Sequence, residues 1–283
     1  MAYSQEISRQ NKALFIFLLD QSVSMEEPLA GGDTTKIDEL TLAINAWLHN
    51  MVIACSKAVG FKDYFDICIL GYGTDENSNP IIGSAFAGTL AGREMVSIKD
   101  IAENPARTDK VTQLIPGELG EMLPIEKEMP VWIDATTHGG TPICKAIVKA
   151  CEIIDAWIPQ HNSSFPPIVI HITDGQSGDG DPIPCADALK QRCTKDGNVL
   201  FFNCCLSTTA ADPFLFRGNS ELMPDEFARE LFQMSSLLPE SMAAKGRAMG
   251  QDLEPNARGM VFNADMVSLI EFLDMGTRTP TLR

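Results

Sequence analysis

Three oxygen-bearing side chains, Asp20, Ser22 and Ser24, stand at alternate positions near the start of the chain. In an extended or looped backbone alternate side chains point the same way, so one carboxylate and two hydroxyls can converge on one point. Hard oxygen donors without a neighbouring Cys or His suit Mg²⁺, Mn²⁺ or Ca²⁺ rather than zinc. The spacing indicates a divalent-cation site, although these residue types are equally typical of a strand followed by an Asx or Ser turn.

The segment before Asp20 is suited to hold these side chains at the edge of a sheet. Residues 14–19 are six continuous apolar residues, too few for a typical helix and typical of a strand buried on both faces. In open α/β sheets, ligands bind beyond the carboxyl ends of the strands. Asp20 is expected at that edge.

Two further oxygen donors are expected at the same edge. Residues 168–173 form another apolar strand that ends at Asp174, and residues 139–142, Gly-Gly-Thr-Pro, are a competent helix start with Thr141 as the N-cap. The ends of the two strands and the start of the helix between them would meet there. The five candidate metal ligands are Asp20, Ser22, Ser24, Thr141 and Asp174.

Strand-like and helix-like segments alternate along the chain, which predicts an α/β fold with a doubly wound, Rossmann-like, mostly parallel six-stranded sheet and helices on both faces. The expected strands are residues 14–19, 64–72, 81–87, 168–173, 199–206 and 259–263. The expected helices are residues 36–59, 97–102, 183–195, 224–234 and 266–273, with one more beginning at Pro142.

The division of the chain follows from the same pattern. Residues 1–12 are polar and predict a loose N-terminal arm, residues 13–275 a single domain, and residues 276–283 a C-terminal tail. Within the domain, residues 73–130 form a poorly patterned insertion, and its part from 117 to 130 is expected to be an exposed loop. Residues 235–257 are expected to be irregular, with one short helical turn.

The five residues resemble the metal-ion-dependent adhesion site of the von Willebrand factor type A domain. That family's motif is Asp-x-Ser-x-Ser after the first strand, a Thr in a later loop and an Asp that closes a central strand. The chain carries Asp20-Gln21-Ser22-Val23-Ser24, Gly139-Gly140-Thr141 and Thr173-Asp174-Gly175. The resemblance covers about residues 12–275 and departs at Val23, where many relatives have Gly.

The resemblance implies a protein-protein interaction module. Ser22 and Ser24 would coordinate the cation directly, Thr141 directly or through water, and the two acids often through water. Neutral hydroxyl ligands leave the cation short of negative charge, so an open position would take a Glu or Asp of a partner protein. Mg²⁺ is then favoured over Ca²⁺, because Mg²⁺ retains waters and needs few carboxylates; the choice between Mg²⁺ and Mn²⁺ stays open.

The resemblance is strongest to stand-alone bacterial and archaeal members, which implies a role in a stress or signalling complex. A cytoplasmic location is expected because residues 14–19 are too short and end too abruptly for a secretory signal. No apolar run approaches a membrane span. The net charge of −16, from 38 acids and 22 bases, argues against nucleic-acid binding. An acidic surface around a site that recruits an acid predicts either a partner with basic residues beside its Glu or Asp, or self-repulsion that keeps the protein monomeric.

An enzyme is the main alternative reading. Asp20 and Asp174 could hold Mg²⁺ for phosphoryl transfer or hydrolysis, but the chain has no Asp-x-Asp at the first strand, no P-loop and no G-x-G-x-x-G. A serine nucleophile would require a histidine partner. His171 lies mid-strand and is expected in the core, whereas His138 could border the site.

Further alternatives concern a scaffold, the acidic loops and the cysteines. A structural domain with a vestigial metal site is the third reading of the chain, although all five ligand types are intact. The acid-rich segments 103–128 and 175–181 are either a solvated acidic face or a second cation site. Most of the eight cysteines are expected to be buried hydrophobes, while the pairs Cys204-Cys205 and Cys185 with Cys193 could in principle bind metal.

Overall fold

Strand β1 (Ala13–Asp20) lies in the middle of the sheet, and all eight of its residues are buried. The structure is a computed structural model and describes residues 3–28, 33–57, 60–116, 122–206, 214–248, 250–251 and 253–263. Continuous burial follows from the apolar run, because a strand with neighbours on both edges and helices on both faces has no solvent-facing side.

The main sheet has eight strands, and β1 lies near its middle. The others are β2 (Phe65–Thr74), β3 (Pro80–Ser84), β4 (Val96–Ser97), β7 (Ile168–Thr173), β8 (Leu200–Cys205), β9 (Phe214–Leu215) and β10 (Met260–Phe262), while β5 (Arg107–Pro116) and β6 (Met122–Val131) form a separate hairpin. The order is β9-β10-β8-β7-β1-β2-β3, with β4 also pairing with β2. The five central strands, from β10 to β2, are parallel, and β3, β4 and β9 are antiparallel additions at the edges.

Six helices cover the sheet. They are α1 (Lys36–Cys55), α2 (Ile98–Glu103), α3 (Ile143–His161), α4 (Ile183–Lys190), α5 (Glu226–Met234) and α6 (Glu240–Ala248) among the described residues. Side chains of α1, α2 and α6 pack with one face of β1, and side chains of α3, α4 and α5 pack with the other. In the part of the chain described, no helix combines the length and apolarity needed to cross a bilayer.

The predicted α/β architecture is confirmed: a mostly parallel sheet carries helices on both faces. All six expected strands are present, and the main sheet has two additional strands, β4 and β9, of two residues each. A two-residue strand has too few side chains to show an alternating pattern, which explains why the sequence did not indicate them.

Several predicted elements were wrong in detail. Residues 117–130 were expected to be an exposed loop, but Met122–Val131 pairs along its whole length with Arg107–Pro116. The segment 235–257 contains the nine-residue helix α6 instead of one turn. Helix α1 ends at Cys55 rather than at residue 59. The expected helix 266–273 and the tail 276–283 lie outside the described residues.

The arm at the start of the chain is attached to the domain rather than loose. The backbone amides of Ser4 and Gln5 donate to the two carboxylate oxygens of Asp196, each at 3.0 Å, and Ile7 is buried. The polar sequence of the arm does not indicate this attachment, because the hydrogen bonds join backbone amides to the carboxylate of a residue that is distant in sequence.

The buried side-chain amide of Asn45 connects α1 to the segment that follows the β5–β6 hairpin. Asn45 Oδ1 accepts hydrogen bonds from the amides of Trp132 and Ile133 at 2.8 and 3.2 Å, and Nδ2 donates to the carbonyl of Ile133 at 3.0 Å. Trp132 is itself buried and donates from its indole to the carbonyl of Ile101. Asn45 therefore satisfies backbone groups that no regular strand pairing serves.

Substitution Asn45→Ala should lower the free energy of unfolding by about 3 kcal/mol, because it leaves buried backbone donors and an acceptor without partners. Urea unfolding followed by circular dichroism measures the change. Asn50→Ala, an exposed position on the same helix, is the control and should change stability little. Equal effects of the two substitutions would contradict this role of Asn45.

Candidate metal centre

Asp20 ends β1 and is completely buried. Its Oδ1 accepts the backbone amide of Ser22 at 2.8 Å, and its Oδ2 accepts the hydroxyl of Thr173, the last residue of β7, at 2.6 Å. The adjacent parallel strands β1 and β7 place these side chains together at the carboxyl edge of the sheet. Both carboxylate oxygens of Asp20 therefore accept hydrogen bonds within the centre.

Burial raises the pKa of Asp20 to about 6, and the hydrogen bonds from Thr173 and Ser22 offset only part of that effect. Within the described residues, no cationic side chain forms an ion pair with Asp20. A carboxylate held away from water without a cation is unfavourable. A bound cation at this position would remove that penalty.

Two hydroxyls and a second carboxylate form a continuous chain beside Asp20. Ser22 Oγ and Ser24 Oγ lie 3.0 Å apart, and Ser24 Oγ donates to Asp174 Oδ1 at 2.7 Å. Ser22 is buried, and the short 3₁₀ turn Val23–Glu26 begins directly after it. That turn folds the Asp20–Ser24 segment back on itself, so alternate side chains meet as the spacing predicts.

Thr141 is brought to the same edge by its backbone. The carbonyl of Gly139 accepts the amide of Val23 at 3.1 Å, and the carbonyl of Thr141 accepts the amide of Gly178 at 2.7 Å. The Thr141 loop therefore lies between the loops that follow β1 and β7. The expectation that Thr141 caps α3 was wrong, because Pro142 occupies the N-cap position.

Gly139 is required by this loop. Its φ is +46°, and a Cβ atom there would lie 2.2 Å from Thr74 Oγ1, which receives the amide hydrogen of Gly140 at 2.7 Å. A side chain at position 139 would therefore break the contact that fixes the loop to β2.

The donor set fits a small divalent cation. Adjacent ligands of an octahedral Mg²⁺ ion lie about 2.9 Å apart, and the oxygens of Ser22, Ser24 and Asp174 are spaced at 3.0 and 2.7 Å. No group of three or more His, Cys, Asp or Glu side chains suited to a metal occurs among the described residues. A cation would therefore depend on hydroxyls as much as on acids.

Lys36 is a member of this centre that the sequence analysis missed. Its ammonium group donates to Asp174 Oδ2 at 2.7 Å, to Glu27 Oε2 at 3.0 Å and to the carbonyl of Ser24 at 3.2 Å. Burial lowers the pKa of Lys36, but the hydrogen bonds to Asp174 and Glu27 outweigh this and raise the pKa above its usual value. One signal was present: Lys36 precedes Leu40 by four residues and so extends the apolar stripe of α1.

Behind the centre, a chain of buried polar side chains crosses the sheet from β2 to the end of α5. Tyr72 Oη lies 2.7 Å from His171 Nε2, His171 Nδ1 lies 2.9 Å from Asn203 Oδ1, and Asn203 Nδ2 donates to Ser235 Oγ at 2.9 Å. Burial lowers the pKa of His171 to about 4. The neutral imidazole therefore belongs to the core, as expected for this residue.

Two other sequence features have structural roles. In the acid-rich loop 175–181, Asp179 accepts the amides of Cys144 and Lys145 at the start of α3, at 3.0 and 2.9 Å, and so stabilises that helix end.

His138 is exposed and borders a cavity of about 300 Å³ together with Gln21. Neither Ser22 nor Ser24 forms a hydrogen bond with a histidine in the described ranges.

Comparisons with known proteins give distant structural matches alone. No protein-family model and no curated protein matches the sequence. The PilB minor pilin of Streptococcus sanguinis is 11% identical over 96% of this chain, with a TM-score of 0.47. The ArnB paralog VWA2 of Sulfolobus acidocaldarius is 13% identical over 70%, with a TM-score of 0.34. The von Willebrand domain of the pilus tip protein Mfa5 of Porphyromonas gingivalis is 13% identical over 60%, with a TM-score of 0.33.

The chain spans 62% of the PilB chain, 35% of the VWA2 chain and 40% of the Mfa5 chain.

Two buried groups should give opposite pH dependences in metal-free protein. Because the folded pKa of Asp20 is about 6 rather than 3.8, the native state binds more protons than the unfolded chain between these values, and Asp20 lowers stability as pH rises. The folded pKa of His171 is about 4 rather than 6.5, so His171 raises stability as pH rises. The two effects oppose each other between about pH 4 and 6.

Asp20→Asn should expose the contribution of His171. The amide can accept from Ser22 and donate to Thr173, whose hydroxyl is also 3.1 Å from the carbonyl of Gly175. The variant should gain up to about 3 kcal/mol in free energy of unfolding at pH 7, and its stability should rise steeply between about pH 4 and 6. Urea unfolding in EDTA across this range tests it, with the exposed Asp181→Asn as control. A lower stability of Asp20→Asn at pH 7 would contradict the prediction.

Proposed function

We propose that this protein is a divalent-cation-dependent protein-interaction module of the von Willebrand factor type A kind. A cation bound by Asp20, Ser22, Ser24, Thr141 and Asp174 would recruit a Glu or Asp side chain of a partner protein. The observation that carries the proposal is the chain of two hydroxyls and one carboxylate beside the buried Asp20, at the edge of the sheet where α/β folds bind ligands.

The donor chemistry supports recruitment of an acid. Serine hydroxyls are neutral ligands, and Asp174 already shares its charge with Lys36. A divalent cation would therefore keep net positive charge and would attract an anionic ligand to any position that the protein leaves open. A carboxylate is the anionic side chain that partner proteins carry.

The surroundings of the serines favour binding over hydrolysis. A serine nucleophile needs a base within hydrogen-bond reach, but Ser22 and Ser24 bond to each other and to Asp174. His171 is held in the core by Tyr72 and Asn203. Asp20 is completely buried, so its carboxylate is out of reach as a nucleophile for phosphoryl transfer.

The metal site can be tested by calorimetric titration of Mg²⁺ into metal-stripped protein. We expect one saturable site in the wild type and at least about tenfold weaker binding in Asp20→Asn and Thr141→Ala, since each loses an oxygen or charge that would stabilise the cation. Asp181→Asn is the matched control, because it removes an acid from the neighbouring loop without touching the centre.

Two results would refute the coordination scheme. The first is an absence of saturable Mg²⁺ and Mn²⁺ binding by folded wild-type protein. The second is binding that Asp20→Asn and Thr141→Ala leave unchanged, which would place the cation elsewhere.

The identity of the cation can be tested with the same protein. Mg²⁺ and Mn²⁺ should bind more tightly than Ca²⁺, because Ca²⁺ favours six to eight oxygen ligands with several carboxylates and this centre offers two acids. Competition of Ca²⁺ against protein-bound Mn²⁺, followed by electron paramagnetic resonance, measures the order. Displacement of Mn²⁺ by an equimolar amount of Ca²⁺ would contradict it.

A further inference from the structure

We propose that Lys36 is a positioning residue that sets the charge of the cation centre, so that a bound cation requires one external carboxylate. This inference rests on the proposed function and deepens it, because it assigns the preference for an acidic ligand to a residue outside the five ligand positions. Lys36 acts through Asp174 and is not itself a metal ligand.

The geometry of Asp174 is fixed from two sides. Its Oδ1 receives the hydroxyl hydrogen of Ser24 at 2.7 Å, and its Oδ2 receives the ammonium group of Lys36 at 2.7 Å. The side chains of Lys36 and Asp174 are 3% and 1% exposed. Lys36 thus commits one oxygen of Asp174 and leaves the other beside the hydroxyl chain.

The position of Lys36 is electrostatically unfavourable within α1 itself. It is the first residue of a 20-residue helix, where the helix dipole favours acidic side chains, and its ammonium group is removed from water. Its interactions with Asp174, Glu27 and the carbonyl of Ser24 use all three donor hydrogens and offset this penalty. The lysine is therefore held by the centre rather than by its helix.

The charges of Asp20, Asp174 and Lys36 determine the net charge around a bound cation. Asp174 and Lys36 form a neutral buried pair, and Asp20 contributes one negative charge; Glu27 is 59% exposed, so water screens it. A divalent cation in this environment keeps one net positive charge, which one carboxylate from a partner would cancel. Without Lys36, Asp174 and Asp20 would neutralise the cation on their own.

A purely structural role of Lys36, as an ion pair that attaches α1 to the loop after β7, predicts a different result. Loss of such an attachment would displace Asp174 and weaken cation binding. Loss of a charge-setting lysine would strengthen cation binding and weaken the binding of an added anion. The sign of the two changes separates the roles.

The experiment compares wild type, Lys36→Met and the charge-preserving control Lys36→Arg as full-length chains. Calorimetry measures Mg²⁺ affinity, and water-proton relaxation of the Mn²⁺-loaded proteins measures the binding of acetate, which displaces metal-bound water. Lys36→Met should bind Mg²⁺ roughly tenfold more tightly, because a nearby positive charge has been removed, and should bind acetate several-fold more weakly. Lys36→Arg should resemble wild type in both measurements.

Stability provides a second readout. Metal-free Lys36→Met should have a lower melting temperature than wild type, and saturating Mg²⁺ should raise it by more than it raises that of wild type. If Lys36→Met does not fold without metal, Lys36→Gln keeps a donor toward Asp174 without the charge and should show the same changes in Mg²⁺ and acetate affinity.

The outcomes distinguish this inference from the proposed function. Unchanged or weaker Mg²⁺ binding by the Met and Gln variants, with normal binding by wild type, would overturn the role of Lys36 and leave the cation centre standing. Absence of Mg²⁺ and Mn²⁺ binding by wild type would overturn the proposed function and this inference together.

Discussion

The fully buried carboxylate of Asp20 is the constraint around which the edge of the sheet is organised. Its two oxygens accept an amide of the following loop and a hydroxyl of the adjacent strand, which ties the loop after β1 to the end of β7. Burial raises its pKa to about 6, because the hydrogen bonds from Thr173 and Ser22 offset only part of the cost of holding a carboxylate away from water. The core of the sheet supplies the stability that makes this arrangement possible.

Much of the fold could be predicted because its central strands are buried on both faces. Residues 14–19 are a continuous apolar run, and residues 168–173 are apolar except for His171 and Thr173. Each segment is followed by an acid, Asp20 or Asp174, which marks the carboxyl end of a strand. Parallel pairing of β1 with β7 then places the two acids at one edge. The convergence of Asp20, Ser22, Ser24 and Asp174 follows from local spacing and one topological rule.

The parts that sequence reasoning missed depend on contacts between distant segments. The β5–β6 hairpin contains polar and apolar residues without clean alternation, since its strands pair mainly with each other and lie outside the main sheet. Thr141 was expected to cap α3, but Asp179, from a loop 38 residues later, caps the first amides of that helix instead. Lys36 has the spacing of a buried residue, yet its partner Asp174 lies in the loop after β7, distant in sequence.

The two acids of the centre, Asp20 and Asp174, differ in whether a cationic side chain is paired with them. Asp174 is paired with a buried ammonium group, whereas Asp20 accepts from an amide and a hydroxyl, both neutral, among the described residues. A centre with two unpaired carboxylates would hold a divalent cation tightly and leave it electrically satisfied; one with two paired carboxylates would hold it poorly. One of each, as proposed for this centre, would give enough charge to bind the cation and leave enough to attract an external carboxylate. Under the proposed function, the lysine at the start of α1 would convert a metal site into a site for an acidic ligand.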